Sequence, residues 1–146
     1  MALTGGCNCG AVRFEVTAPL YSSTYCHCTR CQRRTGTAAS ANARAPADSF
    51  RILQGEDRLR AWKPETGAEK FFCGDCGSAL FSRNADDSSF VGVRLGVIDG
   101  DPGIRPTAHQ YVTYAAAWEP LPDDGLPRHP EVRRPATRPP KSGETL

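Results

Sequence analysis

Apolar residues in this chain recur mostly at every second position and in short runs. "AVRFEV" (11–16) alternates, "SFRIL" (49–53) and "RLRAW" (58–62) flank a turn at Gln54-Gly55, and "EKFF", "SALFS" and "SFVGVRLG" continue the series through 69–96. A period of two is that of a strand with one buried face, so the chain is predicted to be mainly β. One short helix is expected over 30–35, stopped by Gly36, because a glycine just past a helix end relieves the strain of a left-handed residue. From Gly100 the chain turns proline-rich ("DPGIRP", "EPLPDDGLPRHP"), and beyond Pro130 almost no apolar side chain remains to bury. The expectation is a single domain over 1–127 and a Pro/Arg-rich tail over 128–146, extended or disordered.

Composition narrows the picture. At 146 residues and 15.8 kDa the chain suits one domain with a modest core. The opening "MALTGGCNCG" has no basic n-region and no apolar h-region, and no run approaches the ~18 apolar residues of a spanning helix. No membrane association is expected, and the compartment is expected to be the cytoplasm. The formal net charge is +2, but 13 Lys+Arg stand against 14 Asp+Glu up to Pro127, so the excess lies in the tail, with 5 against 2. Seven thiolates around two divalent ions would carry the total from +2 to −1. That is not the footprint of a dedicated nucleic-acid binder.

The seven cysteines change the picture most. Their number is odd, and a reducing cytosol keeps thiols free for metals or catalysis. Cysteines one residue apart in an extended segment also sit too far apart for the ~3.5–4.5 Å Cβ separation of a disulfide. They fall into three motifs: "GGCNCG" with Cys7 and Cys9, "CHCTRC" with Cys26, Cys28 and Cys31, and "FCGDCGSALF" with Cys73 and Cys76. The last has the form of a zinc knuckle, where Gly77 lets backbone N–H groups approach the sulfurs.

Spacing alone does not say which cysteines share a metal. A Cys-x-Cys pair on a strand points both sulfurs to one face and makes half a tetrahedral site. The knuckle makes another half, and joining the first and third motifs leaves three cysteines over. Closed four-ligand sites are structural, whereas catalytic zinc tends to keep three protein ligands and one exchangeable position. Cys26, Cys28 and Cys31 fit the open kind.

Together "GGCNCGAVRFEV", "CHCTRCQRRTG", "FFCGDCGSALF" and "PTAHQYV...AAAW" resemble the glutathione-dependent formaldehyde-activating family, with its CENP-V/GFA domain and zinc-bound β-tent fold, from about Thr4 to about Trp118. The resemblance implies several small sheets with one or two short helices. It implies two zinc ions per chain: a structural one held by Cys7, Cys9, Cys73 and Cys76, and an open one held by the catalytic Cys26, Cys28 and Cys31. It also implies glutathione as co-substrate. The founding activity, classed with the carbon–sulfur lyases, adds glutathione to formaldehyde. The partners so implied are glutathione and a small aldehyde, or their adduct.

Around the open site, Arg30, Arg33 and Arg34 are candidates for the carboxylates of glutathione, against a plain reading as a solvated helix face. His109 occupies the place of a histidine in the family's C-terminal motif and is a further candidate near glutathione, against a hydrogen-bonded structural role. His27, between two cysteines, is expected to point away from their metal and to pack. His129 is expected to be exposed in the tail. Tyr25, Phe72, Tyr111, Tyr114 and Trp118 are candidates to line the pocket, against a plain reading in which most are core. Asp99 and Asp101 read as turn residues. A reading from another class stands beside the enzyme: a non-catalytic zinc module, or an adduct carrier, that binds a partner.

Overall fold

The structure, a computed structural model, describes residues 2–132. Ten strands and one α-helix follow one another as β1 (Leu3–Gly6), β2 (Arg13–Val16), β3 (Tyr21–Cys26), α1 (Thr29–Thr35), β4 (Ser40–Pro46), β5 (Phe50–Gln54), β6 (Leu59–Trp62), β7 (Glu69–Cys73), β8 (Ala79–Arg83), β9 (Phe90–Arg94) and β10 (His109–Gln110). The fold is mainly β, as the alternation predicts. Its strands form two sheets, one of three strands in the order β1-β2-β5 and one of seven in the order β10-β3-β4-β9-β8-β7-β6. Every pairing is antiparallel except the short parallel contact of β10 with β3.

The two runs flanking Gln54-Gly55 are both strands, but they belong to different sheets. Gly55 makes the change of direction in the left-handed region at φ 79°, and the Ala11 carbonyl oxygen lies where its Cβ would be. Only glycine fits there.

Alternation decides what faces the core. Ala43 and Ala45 on β4 and Val91 and Val93 on β9 pack inward with Leu80 and Phe81 against Val12, Phe14 and Val16 of the small sheet. The intervening residues Asn42, Arg44, Gly92 and Arg94 are left on the opposite face of the large sheet. That outer face carries the candidate site.

Helix α1 matches its expected position. Cys28 is its N-cap, with its sulfur accepting from the Cys31 N–H, and Gly36 ends it at φ 67° with its own N–H on the Gln32 carbonyl. The reading of these aromatics as mostly core needs correction. Tyr114 is 46% and Trp118 67% exposed, and Tyr25, Phe72 and Tyr111 are half-buried. The aromatic core is built from Phe14, Tyr21, Phe50 and Phe81, on inward-facing strand positions that the C-terminal segment does not offer.

The segment expected to be tail begins in contact with the sheet. His129 donates its N–H to the His109 carbonyl at 2.8 Å, and Tyr111 donates to the Glu131 carbonyl at 2.9 Å. His129 is therefore half-buried rather than exposed. The remainder of the expected tail, 133–146, lies outside the described residues.

Candidate metal centres and an adjoining cavity

The three cysteine motifs converge into two clusters. Cys7, Cys9, Cys73 and Cys76 form one and Cys26, Cys28 and Cys31 the other, with the sulfurs of each within 4.8 Å of one another. All seven thiols are free.

Two tight turns build the first cluster. The Cys7 N–H donates to the Val12 carbonyl and the Gly10 N–H to the Cys7 carbonyl, which folds Cys7 and Cys9 into a hairpin end between β1 and β2. The Gly77 N–H donates to the Cys73 carbonyl at 2.8 Å, with Gly77 at φ 79°, closing the second turn after β7. Backbone and side-chain donors face the sulfurs: Val12 N–H to Cys7 at 3.2 Å, and the Ser78 hydroxyl 3.2 Å from Cys76. The hydroxyl and amide of Ser78 pull the Cys76 thiol down to about 5, so it is a ready thiolate near neutrality.

These sulfurs fit zinc. Corners of a tetrahedron with metal–sulfur bonds of about 2.3 Å stand about 3.8 Å apart. The Cys7 and Cys9 sulfurs are 3.6 Å apart, and those of Cys9 and Cys73 are 3.8 Å apart.

The second cluster joins the end of β3 to the first turn of α1. Cys26 and Cys31 are buried and Cys28 is half-buried. Without metal their protons are shared unequally. Hydrogen bonds from Cys26 and Cys28 push the Cys31 thiol strongly down, helped by Ser40 and the Arg94 charge. Hydrogen bonding to Cys28 and Cys31 pushes Cys26 up. A thiolate held by two thiols is the donor set that a divalent soft metal takes by displacing protons.

His27 points away from these sulfurs, as alternation requires. Its Nε2 lies 2.8 Å from Nδ1 of His109, whose Nε2 lies 2.8 Å from the Asp124 carboxylate. Both rings are buried, and Tyr25 stacks on His109 at 5.0 Å. The amide of Gln32 ties this loop further by donating to the carbonyls of His27 and Tyr114, both at 2.8 Å.

A cavity of about 830 Å³ opens over the three-cysteine cluster, across the outer face of β3, β4, β9, β8 and β7. Its charged lining residues are Arg30, Arg44, Lys70 and Arg94, and among the described residues no carboxylate lines it. Tyr111 closes one side from a left-handed backbone at φ 58°, a conformation rare outside glycine.

Of the four residues expected around glutathione, only Arg30 lines the cavity. Arg33 borders a separate shallow hollow beside Trp118. Arg34 packs over Trp62 and Phe72, and His109 faces the interior. Helical spacing accounts for Arg33, two residues from Cys31 and off its face, whereas Arg34, three residues on, shares that side but turns its guanidinium to the Trp62 and Phe72 rings. Arg44, Lys70 and Arg94 were not singled out from sequence. The alternations "NARA" and "VGVR" and the strand "EKFF" are their local signals.

Comparison with known proteins agrees with this geometry. A crystal structure of a Rhodobacter sphaeroides protein superposes with a TM-score of 0.56 at 22% identity, covering 86% of this chain and 98% of that one. Two relatives, each provisionally named a glutathione-dependent formaldehyde-activating enzyme, align over part of the chain. The Halomonas elongata protein is 34% identical over 88 residues, 56% of this chain and 55% of its own. The Penicillium rubens protein is 28% identical over 89 residues, 60% of this chain and 47% of its own. The match thus spans about half the length of these two relatives. The family model described as glutathione-dependent formaldehyde-activating enzyme matches residues 2–114, which takes in every cysteine of both clusters. The chain belongs to the glutathione-dependent formaldehyde-activating enzyme family.

Proposed function

We propose that the protein is a zinc-dependent carbon–sulfur lyase that adds the thiol of glutathione to formaldehyde or another small aldehyde, and reverses that addition. The observation that carries this reading is the make-up of one cavity: three cysteine sulfurs at one end, cations on the walls and no lining carboxylate among the described residues. Zinc at Cys26, Cys28 and Cys31, when bound, supplies a positive centre that lowers the pKa of an incoming thiol toward neutrality.

The chain's own residues do the rest. Arg30, Arg44 and Arg94 present forked donors suited to the two carboxylates of glutathione. Fixing the peptide at both ends orients its sulfur toward the three-cysteine end and brings thiol and aldehyde together. The sulfur then forms a bond to the carbonyl carbon while the C=O π pair moves to oxygen, which takes up a proton. Cys7, Cys9, Cys73 and Cys76 are the structural zinc site in this reading, and they clip the β1–β2 turn to the end of β7. Such sites contribute ~10–16 kcal/mol in finger peptides, comparable to the ~5–15 kcal/mol stability of a whole domain.

The unit that carries this activity is residues 1–127, with 128–132 laid along β10, and its compartment is the cytoplasm, where thiols stay reduced. Among the described residues no helix is long and apolar enough to cross a membrane. Exchange NMR between free formaldehyde and its glutathione adduct tests the proposal. The zinc-loaded protein should speed exchange well above the protein-free rate, and Cys28→Ala should return it to that rate. Adduct binding without faster exchange would make the protein a carrier.

A further inference from the structure

The cavity contains a lysine set among three arginines, with one cysteine sulfur opposing them. Lys70 on β7 is half-buried, and its side chain has no hydrogen bond and no carboxylate partner among the described residues. Its electrostatic neighbours are Arg94, Arg30 and Arg34, all of the same sign, with the Cys31 sulfur as the one opposing group. Lys70 lines the cavity half withdrawn from water and with no hydrogen-bond acceptor of its own among the described residues, so its ammonium is available to a ligand atom that enters there.

Strand register explains how Lys70 comes to the cavity face of the large sheet. It lies opposite Ser82, Ser82 opposite Gly92, and Gly92 opposite Arg44, one row across three strand pairings. The middle of that row is low. A Cβ on Gly92 would come within 2.6 Å of the Ser82 hydroxyl oxygen, so the two positions between Lys70 and Arg44 in this row are held by small residues. The other cations are engaged. Arg94 donates to Asn42 at 2.7 Å, Arg30 to the Thr66 carbonyl at 2.8 Å, and Arg44 lies over the Phe90 ring at 3.7 Å.

We propose that Lys70 is a catalytic residue of the thiol–aldehyde reaction, its ammonium donating to the aldehyde oxygen beside the three-cysteine cluster. This rests on reading the site as a thiol–aldehyde enzyme. Guanidinium forks match carboxylates, while an ammonium is a single-point donor that can give its proton up, and burial with like-charged neighbours lowers the pKa of Lys70. As sulfur bonds to carbon, the π pair shifts to oxygen and Lys70 transfers a proton to it, leaving a hydroxyl and a neutral amine. The proton the thiol lost to water restores the ammonium. In reverse the amine takes the hydroxyl proton, the C=O bond re-forms and the C–S pair leaves on sulfur.

Lys70→Met keeps the aliphatic stem and removes the donor. With zinc content and far-UV circular dichroism matched to wild type, it should slow enzyme-catalysed adduct exchange roughly 10²–10³-fold, the usual cost of losing one transition-state donor. The glutathione dissociation constant should move less than about threefold, because only transition-state binding is lost. Lys70→Arg, which keeps the donor, should lose less, and Lys70→Gln serves should the Met variant prove insoluble. Wild-type exchange in these variants overturns the proposal. So does a loss confined to glutathione affinity, which would make Lys70 a carboxylate-binding residue. A wild-type protein no faster than buffer overturns the enzyme reading as well, so the two failures are distinguishable.

Discussion

His27 and His109 share a 2.8 Å hydrogen bond between their buried rings, directly behind the three-cysteine loop. In the tautomer that carries its proton on Nε2 for Asp124, His109 accepts at Nδ1 from Nε2 of His27. Burial, helped by the neighbouring His109, pushes the His27 pKa down and favours its neutral ring. The residue between Cys26 and Cys28 is thus anchored from behind through two side chains, from the surface carboxylate inward.

Cutting that anchor should loosen the second cluster more than the first. Asp124→Ala leaves the His109 Nε2 donor without its carboxylate, at a cost of about 1–3 kcal/mol. In a chelator competition followed by metal analysis, the variant should release the zinc of Cys26, Cys28 and Cys31 at least several-fold sooner. The zinc of Cys7, Cys9, Cys73 and Cys76 should be retained as in wild type. Equal retention at both sites would show that the chain of rings does not support the loop.

The two clusters should also differ in what they hold up. Cys76→Ala opens a site that ties the β1–β2 turn to β7, and should leave the protein unfolded or insoluble. Cys28→Ala removes a ligand and a helix N-cap, a cap loss worth about 1 kcal/mol, and should stay folded without activity. Far-UV circular dichroism of the two purified variants decides this. A collapsed Cys28 variant beside a native Cys76 variant would reverse the assignment.

Much of this was legible because its signals are local. The alternations of β2, β5 and β7 to β9, the stop at Gly36 and the three cysteine spacings each lie within a few residues. Strands β3 and β4 were not legible, since "YSSTYC" is largely polar and "SANARAP" alternates only alanine with polar residues. The cationic cavity was hidden for a different reason. Arg44, Arg94 and Lys70 meet through the registers of β4, β9, β8 and β7, a long-range property that no window of sequence contains. His109 carried a recognisable motif, but its partners His27 and Asp124 are 82 and 15 residues away.

Acid should weaken the small sheet through Asp99. Hydrogen bonds from Arg13 and from the Thr4 hydroxyl, the latter at 2.7 Å, hold its carboxyl below the ordinary 3.8. A depressed carboxylate contributes stability that is present above its unfolded pKa and lost as pH falls through the folded one. The melting-temperature gap between wild type and Asp99→Asn should therefore be constant above about pH 5 and close on acidification below 3.8. A gap that widens in acid would contradict the assignment.

Gly55 should not tolerate a side chain. An alanine there must hold φ near 79° with its Cβ overlapping the Ala11 carbonyl oxygen, beside the turn that carries Cys7 and Cys9. Backbone strain alone costs about 1–3 kcal/mol, and the contact adds to it. Urea unfolding of zinc-loaded Gly55→Ala should show a midpoint well below wild type with an unchanged slope. An unchanged midpoint would mean the two sheets can shift at this joint.

In the proposed reaction the three-cysteine site takes its fourth ligand from outside the chain. Zinc-edge X-ray absorption on protein carrying two zinc ions, before and after glutathione, reads this ligand count. One closed and one open site predict an average of about 3.5 sulfurs per zinc, rising to about 4 when the thiol arrives, with the change abolished in Cys28→Ala. A single zinc per chain, or a second site already closed by a protein side chain and indifferent to glutathione, would contradict it.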